Sequence, residues 1–365
     1  MESMIVPLAV ALILVAIAAL AAVLQAHHAV SRASGHWAIV IHGGAGVIER
    51  SALTAAAETA YRASLSRAAE AGAQVLARDG SALDAVEAAI RILEDDPLFN
   101  AGRGSVFTSA GTNEMDAALM DGSTRAAGAV AGATRTRHPI SLARAVMDRS
   151  PCVMLAGPGA DAFSAQEGLE QEEPGYFFTE ARWQSLVRQL QNQGLPIPPR
   201  PAGAPAPPPG HGAPKEQLEE SPDTHRCGTV GAVALDRTGN IAAGTSTGGV
   251  QAKMPGRVGD SPIIGAGTYA SNSSCAISAT GAGESFIRLG MAREVCDLVR
   301  FKGMKLQQAA DQVIQVELNA LRGQGGLIAL TRDGQMAWSF NTPGMFRARL
   351  AEGGKLQVGM DRNEP

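Results

Sequence analysis

The carboxyl-terminal half of the sequence is rich in threonine, glycine, arginine and aspartate, and no histidine follows His225. A threonine hydroxyl can act as a nucleophile without histidine when the threonine is amino-terminal, because its own α-amine then serves as the base. An internal threonine must first be released by cleavage of the chain. Gly228 suits that step because glycine tolerates a strained peptide geometry, and β-branching restricts χ1 of Thr229 and so aims its hydroxyl. We therefore predict self-cleavage between Gly228 and Thr229.

A serine esterase is a competing interpretation of the same half. The residues 244–248 read GTSTG and satisfy the nucleophile-elbow pattern, while HGGAG at 42–46 is similar to the oxyanion loop of lipases. The elbow mechanism needs a histidine after the serine in chain order, and none follows Ser246. Pro255 and Gly256 also oppose the helix that must follow the elbow. The Gly-x-Gly sequences at 102–104 and 265–267 are too short to match the glycine-rich loops that bind phosphate. The esterase and nucleotide-binding interpretations are therefore disfavoured.

Six motifs in series resemble the plant-type asparaginases, also called isoaspartyl peptidases, of the N-terminal-nucleophile hydrolase superfamily. The resemblance covers about 38–347. It implies an α+β fold built as a four-layer αββα sandwich, an inactive precursor that cuts itself before the threonine, and a homodimer of αβ units. The motifs are IVIHGGAG at 39–46, DPLFNAGRGSVFT at 96–108, GTVGAVALD at 228–236, TSTGG at 245–249, GRVGDSP at 256–262 and TGAGE at 280–284.

The resemblance also implies roles for individual residues around the nucleophile. Thr229 would be both nucleophile and base, and Thr247 would hold and polarise its hydroxyl. The Thr280 hydroxyl and the Gly281 N–H would form the oxyanion hole. Asn100 would orient the nucleophile region. The glycine-rich loop at 42–46 would shape the precursor for cleavage.

The remaining roles concern the substrate and a metal ion. Arg257 would bind the substrate α-carboxylate through a bidentate fork, Asp260 would take the α-ammonium, and Gly283 would leave room for this amino-acid head. The backbone from Leu93 to Arg103 would wrap a structural sodium ion, and catalysis would need no cofactor. Purely structural interpretations stay open for several of these residues. Arg257 and Asp260 could form an ion pair within their loop, and Thr229 and Thr247 could be ordinary strand residues, Thr229 at a strand start. Asn100 could be a turn residue, His42 a buried hydrogen-bonded residue, and Glu284 the start of a helix.

The implied activity is hydrolysis of L-asparagine and of β-aspartyl (isoaspartyl) dipeptides through an acyl-enzyme at Thr229. A glycosylasparaginase is the nearest alternative. Gly228 and Gly249 favour the asparaginase branch, since that relative usually carries Asp and Asn there. A binding protein on the same scaffold that does not process itself is a third hypothesis, from a different functional class.

Composition sets the wider limits. The chain has 365 residues, 45% hydrophobic residues and a net charge of −4, which is typical of a globular protein and lacks the basic footprint of a nucleic-acid binder. We divide it into an apolar leader at 1–35, one hydrolase domain made of 36–193 and 229–365, and a proline-rich segment at 194–228 that is extended or disordered and ends at the cleavage site.

The leader bears on localisation. Residues 5–24 form an unbroken apolar run, which indicates a signal peptide or a membrane anchor. The expected location is periplasmic or membrane-anchored, with N-terminal membrane association, and cytoplasmic is the alternative.

The four cysteines form no metal-binding pattern. They are interpreted as small buried residues, with one disulfide or a reactive thiol as alternatives.

Periodicity and turn signals place the motifs on a series of elements. The catalytic TSTGG motif is expected at the end of a strand, and TGAGE at the start of a helix. Ser81 with Asp84 indicates a helix start. The predicted strands are 38–42, 114–120, 128–134, 231–235, 240–246 and a last pair around the turn at 333–334, and the predicted helices are 54–78, 81–94, 141–147, 160–168, 179–193, 284–299 and 306–321.

Overall fold

The computed structural model describes residues 35–46, 53–206 and 228–364. All but the last residue of the leader, and most of the proline-rich segment, lie outside these ranges. No helix within the described residues is long and apolar enough to cross a membrane. The leader stays a prediction.

The described residues form two sheets and a set of helices. The strands are β1 (Ala38–Gly46), β2 (Met115–Asp121), β3 (Ala127–Ala133), β4 (Met154–Ala156), β5 (Val230–Leu235), β6 (Ile241–Thr247), β7 (Thr268–Ala270), β8 (Cys275–Gly281), β9 (Gly325–Thr331), β10 (Met336–Phe340), β11 (Gly344–Ala351) and β12 (Gln357–Asp361). The helices are α1 (Ala55–Ala77), α2 (Ala82–Asp95), α3 (Pro139–Arg149), α4 (Gly157–Gln166), α5 (Pro174–Phe177), α6 (Glu180–Asn192), α7 (Gly283–Leu289), α8 (Met291–Lys302) and α9 (Leu306–Asp311), which continues as a π-helix over Gln312–Leu318.

The larger sheet has eight strands in the order β12-β11-β1-β5-β6-β2-β3-β4, and the smaller sheet has four in the order β10-β9-β8-β7. Neighbouring strands are antiparallel except for β3 and β4. Strand β5, which follows the predicted cleavage site, lies in the middle of the larger sheet between β1 and β6. The predicted α+β class is confirmed at the level of mixed helices and largely antiparallel sheets.

Successive side chains of a strand point to opposite faces of the sheet and therefore pack into two separate cores. Ile39 and Ile41 of β1 pack with helices α1, α2 and α3 in one cluster. Val40 of the same strand packs into a second cluster, formed with the smaller sheet and helices α8 and α9. Both faces of the larger sheet are therefore buried.

Several predicted helix bounds are wrong in detail. The single helix predicted at 284–299 is two helices, because Gly290 adopts a left-handed conformation with φ of 60° between α7 and α8. The helix predicted at 306–321 changes to a π-helix after Asp311. The pair of strands around 333–334 is present but is not the last, since β11 and β12 follow. Strands β4, β7 and β8 were also not predicted.

The cysteines and the start of the proline-rich segment add two observations. Cys275 and Cys296 form a disulfide between β8 and α8, whereas Cys152 is exposed rather than buried.

The described part of the proline-rich segment, 194–206, has no helix or strand. It nevertheless packs on the protein, because Arg200 pairs with Glu180 and its guanidinium lies over the Phe178 ring.

Candidate active site

Thr229 lies directly before β5, opposite the end of β6. The register pairs Val230 with Ser246, which brings Thr229 beside Thr247. The Thr229 hydroxyl donates to the Thr247 hydroxyl at 3.1 Å, and the Gly249 N–H donates to the same Thr247 oxygen at 2.9 Å. Both threonines are almost fully buried. Two strand ends thus fix the predicted nucleophile against a second hydroxyl that is itself held by the backbone.

The predicted scissile peptide lies against the glycine-rich end of β1. The register of β1 with β11 shifts between His42 and Gly44, and Gly44 has φ of +108°. A Cβ atom at Gly44 would lie 2.5 Å from the Gly228 carbonyl oxygen. Only a glycine allows this approach, so the loop and the Gly228–Thr229 peptide are closely fitted.

Thr280 and Gly281 end β8 on the other side of this peptide. The Ala45 N–H donates to the Thr280 hydroxyl at 3.3 Å, and a Cβ atom at Gly228 would lie 3.6 Å from that hydroxyl. Gly281 has φ of +149°, and a side chain there would collide with the Gln324 carbonyl. The two predicted oxyanion-hole residues are therefore adjacent to the peptide that would be cut.

Arg257, Asp260 and Gly283 form a second cluster. A Cβ atom at Gly283 would lie 2.8 Å from Arg257 Nη2 and 2.9 Å from Asp260 Oδ1, so the glycine makes room for both charged groups. Arg257 pairs with Glu284 at 3.0 Å. Arg257 therefore forms its ion pair with Glu284 and not with Asp260. Glu284 thus has a role besides beginning α7.

Asp260 is a buried carboxylate that forms no ion pair with a described residue. Its side chain is 4% exposed, and its Oδ2 atom has no hydrogen-bond partner among the described residues. Burial raises the pKa of Asp260 to about 7, and its own backbone N–H and the nearby Arg257 offset this only in part. A ligand ammonium would supply the missing partner.

Asn100 connects two loops near the nucleophile. Its Nδ2 donates to the Gly249 carbonyl at 2.7 Å, and its Oδ1 accepts from the Val106 N–H at 2.9 Å. The Gly248 N–H donates to the Asn100 carbonyl at 3.1 Å. The side-chain amide is thus engaged with backbone on both sides and holds the turn that follows Thr247.

The segment from Leu93 to Arg103 is a tightly closed loop. Side chains at Gly102 and Gly104 would collide with the carbonyl oxygens of Glu94 and Phe99, and the second would also lie 2.8 Å from the Pro97 carbonyl oxygen. Hard cations prefer oxygen ligands. The carbonyl oxygens near these two glycines are ligands of the type that a sodium ion would need.

A chain of buried polar groups lies beneath Thr229. His42 Nε2 is 3.0 Å from the Ser278 hydroxyl, which is 2.7 Å from the Thr245 hydroxyl, and Thr268 donates to Thr245 at 2.6 Å. Burial lowers the pKa of His42 to about 3, with a partial offset from a hydrogen bond to the Thr229 backbone. His42 is therefore a neutral, buried residue. Sequence reasoning did not find the three hydroxyl groups, which look like ordinary strand residues.

Lys253 and Asp116 are also functional candidates that the sequence did not reveal. Lys253 is 3% exposed, and its Nζ donates to the Glu114 carbonyl at 2.6 Å. A Cβ atom at Gly249 would lie 3.0 Å from this Nζ and 3.4 Å from Arg257 Nη1. Burial lowers the pKa of Lys253 and raises that of Asp116, and their opposite charges counteract both shifts. A lone lysine in a loop gives no sequence signal of such burial.

These elements enclose a cavity of about 740 Å³. Most of the predicted site residues line this cavity, whereas Thr280 and Gly283 do not. The predicted residues on the wall are Asn100, Gly228, Thr229, Thr247, Arg257, Asp260 and Gly281. The structure therefore brings together a threonine nucleophile candidate, an arginine and an unpartnered carboxylate in one cavity.

Comparison with known proteins identifies the family of this chain. Residues 35–360 match the family described as asparaginase. The chain is 46% identical to the isoaspartyl peptidase of Salmonella typhimurium over 85% of this chain and 94% of that protein. It is 46% identical to the isoaspartyl peptidase of Escherichia coli, over 86% and 92% of the two chains. It is 41% identical to the plant-type L-asparaginase of Pyrococcus abyssi, over 87% and 97%. The chain belongs to the asparaginase family.

Proposed function

We propose that this chain is a self-cleaving threonine amidohydrolase that acts on L-asparagine and β-aspartyl dipeptides. The observation that carries the proposal is the Thr229 hydroxyl, 3.1 Å from Thr247, in the same cavity as Arg257 and the unpartnered Asp260. The names of the related proteins, isoaspartyl peptidase and plant-type L-asparaginase, support the substrate class.

The first reaction is maturation. The Thr229 oxygen attacks the Gly228 carbonyl carbon, the hydroxyl proton passes to the Thr229 nitrogen, and the Gly228–Thr229 C–N bond breaks, which frees the α-amine and leaves the acyl group on the hydroxyl as an ester. Water then hydrolyses the ester, which releases the Gly228 carboxylate and restores the Thr229 hydroxyl. The tight contact of Gly44 with the Gly228 carbonyl holds the peptide for this attack.

The second reaction uses that amine as the base. It takes the proton of the Thr229 hydroxyl, whose oxygen attacks the side-chain carbonyl of the substrate. The Thr280 hydroxyl and the Gly281 N–H stabilise the oxyanion, typically by a few kcal/mol for each donor. The proton then passes to the leaving nitrogen, and the C–N bond breaks to give an ester on Thr229. Water, deprotonated by the same amine, releases aspartate.

The amino-acid head of the substrate would be recognised at the second cluster. Arg257 would bind the α-carboxylate, with Glu284 fixing the guanidinium, and Asp260 would bind the α-ammonium. Asn100 and Thr247 would act as positioning residues for the turn beside the nucleophile.

Steady-state kinetics of Arg257→Ala test the assignment of the head. Loss of one partner of a buried charge pair typically costs about 2–5 kcal/mol, so kcat/KM for L-asparagine and for a β-aspartyl dipeptide should both fall at least about thirtyfold. Arg78→Ala, at an exposed helix end, is the control for loss of a positive charge. Unchanged kinetics in Arg257→Ala would place the head elsewhere.

We also propose that the loop from Leu93 to Arg103 holds a structural sodium ion through its carbonyl oxygens. The ion would fix the loop that carries Asn100 and would take no part in bond breaking. Replacing sodium by tetramethylammonium at equal ionic strength should lower the melting temperature, and adding sodium back should restore it. Equal melting temperatures in the two salts would argue against the ion.

Three larger-scale features complete the proposal. We propose a four-layer αββα sandwich, supported by the two sheets and by the two helix-bearing cores that flank them. The family resemblance supports a homodimer of αβ units. The apolar run at 5–24 and the disulfide between Cys275 and Cys296, a bond typical of exported proteins, support a periplasmic or membrane-anchored location.

A further inference from the structure

Helix α6 presents two different faces. Trp183, Leu186 and Leu190 are buried in a small cluster with Phe107 and Phe178, and this face fixes the helix to the protein. The opposite stripe lines the cavity that contains Thr229, at the three- and four-residue spacing of one helix face. Its residues are Ser185, Arg188, Gln189 and Asn192.

Arg188 is the charged group of this stripe. Among the residues that the structure describes, no acceptor contacts its guanidinium, whereas Arg182 donates to the Gly104 carbonyl and Arg200 pairs with Glu180. A guanidinium stays protonated at any physiological pH. The cavity therefore holds a second arginine besides Arg257, and no described residue supplies this one with an anion.

The two proposed substrates differ in the group that leaves. L-Asparagine loses ammonia, which carries no carboxylate. A β-aspartyl dipeptide loses an amino acid that ends in a free carboxylate. The aspartyl head would occupy Arg257 and Asp260 in both cases, and the cavity of about 740 Å³ is of the size that accommodates drug-sized ligands. A second arginine on the wall would find a carboxylate to bind in the dipeptide's leaving group, and L-asparagine offers none there.

We propose that Arg188, supported by Gln189 and Asn192, forms a leaving-group subsite that binds the free carboxylate of the residue following the isoaspartyl bond. This inference rests on the proposed function. It makes Arg188 a specificity residue that favours β-aspartyl dipeptides over L-asparagine. The subsite belongs to the amino-terminal part of the chain, while the nucleophile belongs to the carboxyl-terminal part.

The test compares three substrates: β-aspartyl-leucine, β-aspartyl-leucinamide, which lacks the terminal carboxylate, and L-asparagine. In Arg188→Ala, kcat/KM for β-aspartyl-leucine should fall about ten- to a hundredfold, as for loss of a hydrogen bond to a charged group. It should change less than about twofold for the leucinamide and for L-asparagine. Arg188→Lys should recover part of the loss, because it keeps the charge but not the fork.

The controls separate the subsite from the proposed function. Arg188 is exposed, so self-cleavage of the variant reports that it folds, and Arg78→Ala controls for charge. Unchanged activity on β-aspartyl-leucine in Arg188→Ala, or an equal loss on all three substrates, would overturn the subsite. A wild-type protein that neither cleaves itself nor hydrolyses any of the three would instead overturn the proposed function.

Discussion

Burial of Asp260 would prepare this residue for binding an ammonium group. A carboxylate removed from water without a cation beside it favours its neutral form, and its pKa rises to about 7. Arg257 is close, but its guanidinium is directed to Glu284. The α-ammonium of a substrate or product would complete the site and lower the pKa of Asp260 again. Binding of such an ammonium group would therefore be coupled to the loss of a proton from this carboxyl group.

This coupling predicts proton release when L-aspartate, the proposed product, binds. At pH 6 the carboxyl group is mostly protonated in the free protein and ionised in the complex, so close to one proton should be released. At pH 8.5 it is ionised in both states, and the release should vanish. Calorimetry in two buffers of different ionisation enthalpy measures this number. Asp260→Asn is the control, and it should lose the release at pH 6. An identical proton count in the variant would show that another group titrates.

Asn100 and Lys253 show the limits of sequence reasoning at single residues. The motif placed Asn100 near the nucleophile, and the structure adds that its amide bonds only to backbone. Nothing in the sequence distinguishes Lys253 from a surface lysine, because its burial depends on Glu114 and Asp116 more than a hundred positions away. Residue types reveal chemistry, but they do not reveal which distant groups surround them.

At the scale of elements, the glycine-rich end of β1 controls the proposed cleavage. Gly44→Ala should block maturation, because its Cβ atom would lie 2.5 Å from the Gly228 carbonyl oxygen and the residue has φ of +108°. We expect uncleaved chain to accumulate and hydrolysis to fall with it. Gel electrophoresis over a time course measures the cleaved fraction.

Gly159→Ala is the matched control for this variant. Gly159 lies in α4 with open space around its Cα, so an added methyl group meets nothing within 4 Å. Its cleavage rate should equal that of the wild-type protein. Wild-type cleavage in Gly44→Ala would show that the loop does not shape the peptide.

Helices with capping residues were the easiest elements to predict. Ser81 accepts from the Asp84 N–H at 3.1 Å at the start of α2, as the Ser81/Asp84 pattern predicted. Strands β7 and β8 were missed because small residues such as Ala276 and Ala279 are buried on both faces and give no alternation. The split between α7 and α8 depends on a left-handed Gly290, which a periodic pattern does not reveal.

At the scale of the whole molecule, the cavity combines two distant parts of the chain. Asn100 and helix α6 come from the part before 194–228, while Thr229, Thr247 and Arg257 come from the part after it. Both parts contribute strands to the larger sheet, with β5 and β6 lying between β1 and β2. Cleavage before Thr229 would therefore leave two chains held together by shared cores. The order of the motifs indicated one domain, but the sheet order required the structure.

Under the proposed function, Thr229 becomes an amino-terminal residue through its own chemistry. Purified protein incubated without protease should yield a fragment ending at Gly228 and a fragment of residues 229–365, with threonine as the first residue of the second. Thr229→Ala should give neither fragment nor activity, whereas Thr229→Ser, which keeps a hydroxyl but loses the rotamer restriction, should cleave slowly and retain weak turnover.

Intact mass spectrometry with amino-terminal sequencing is the most direct test. We expect hydrolysis of L-asparagine and β-aspartyl dipeptides to appear in step with the fragment that begins at Thr229. A fully active protein in which residue 229 remains internal to an uncut chain would contradict this expectation.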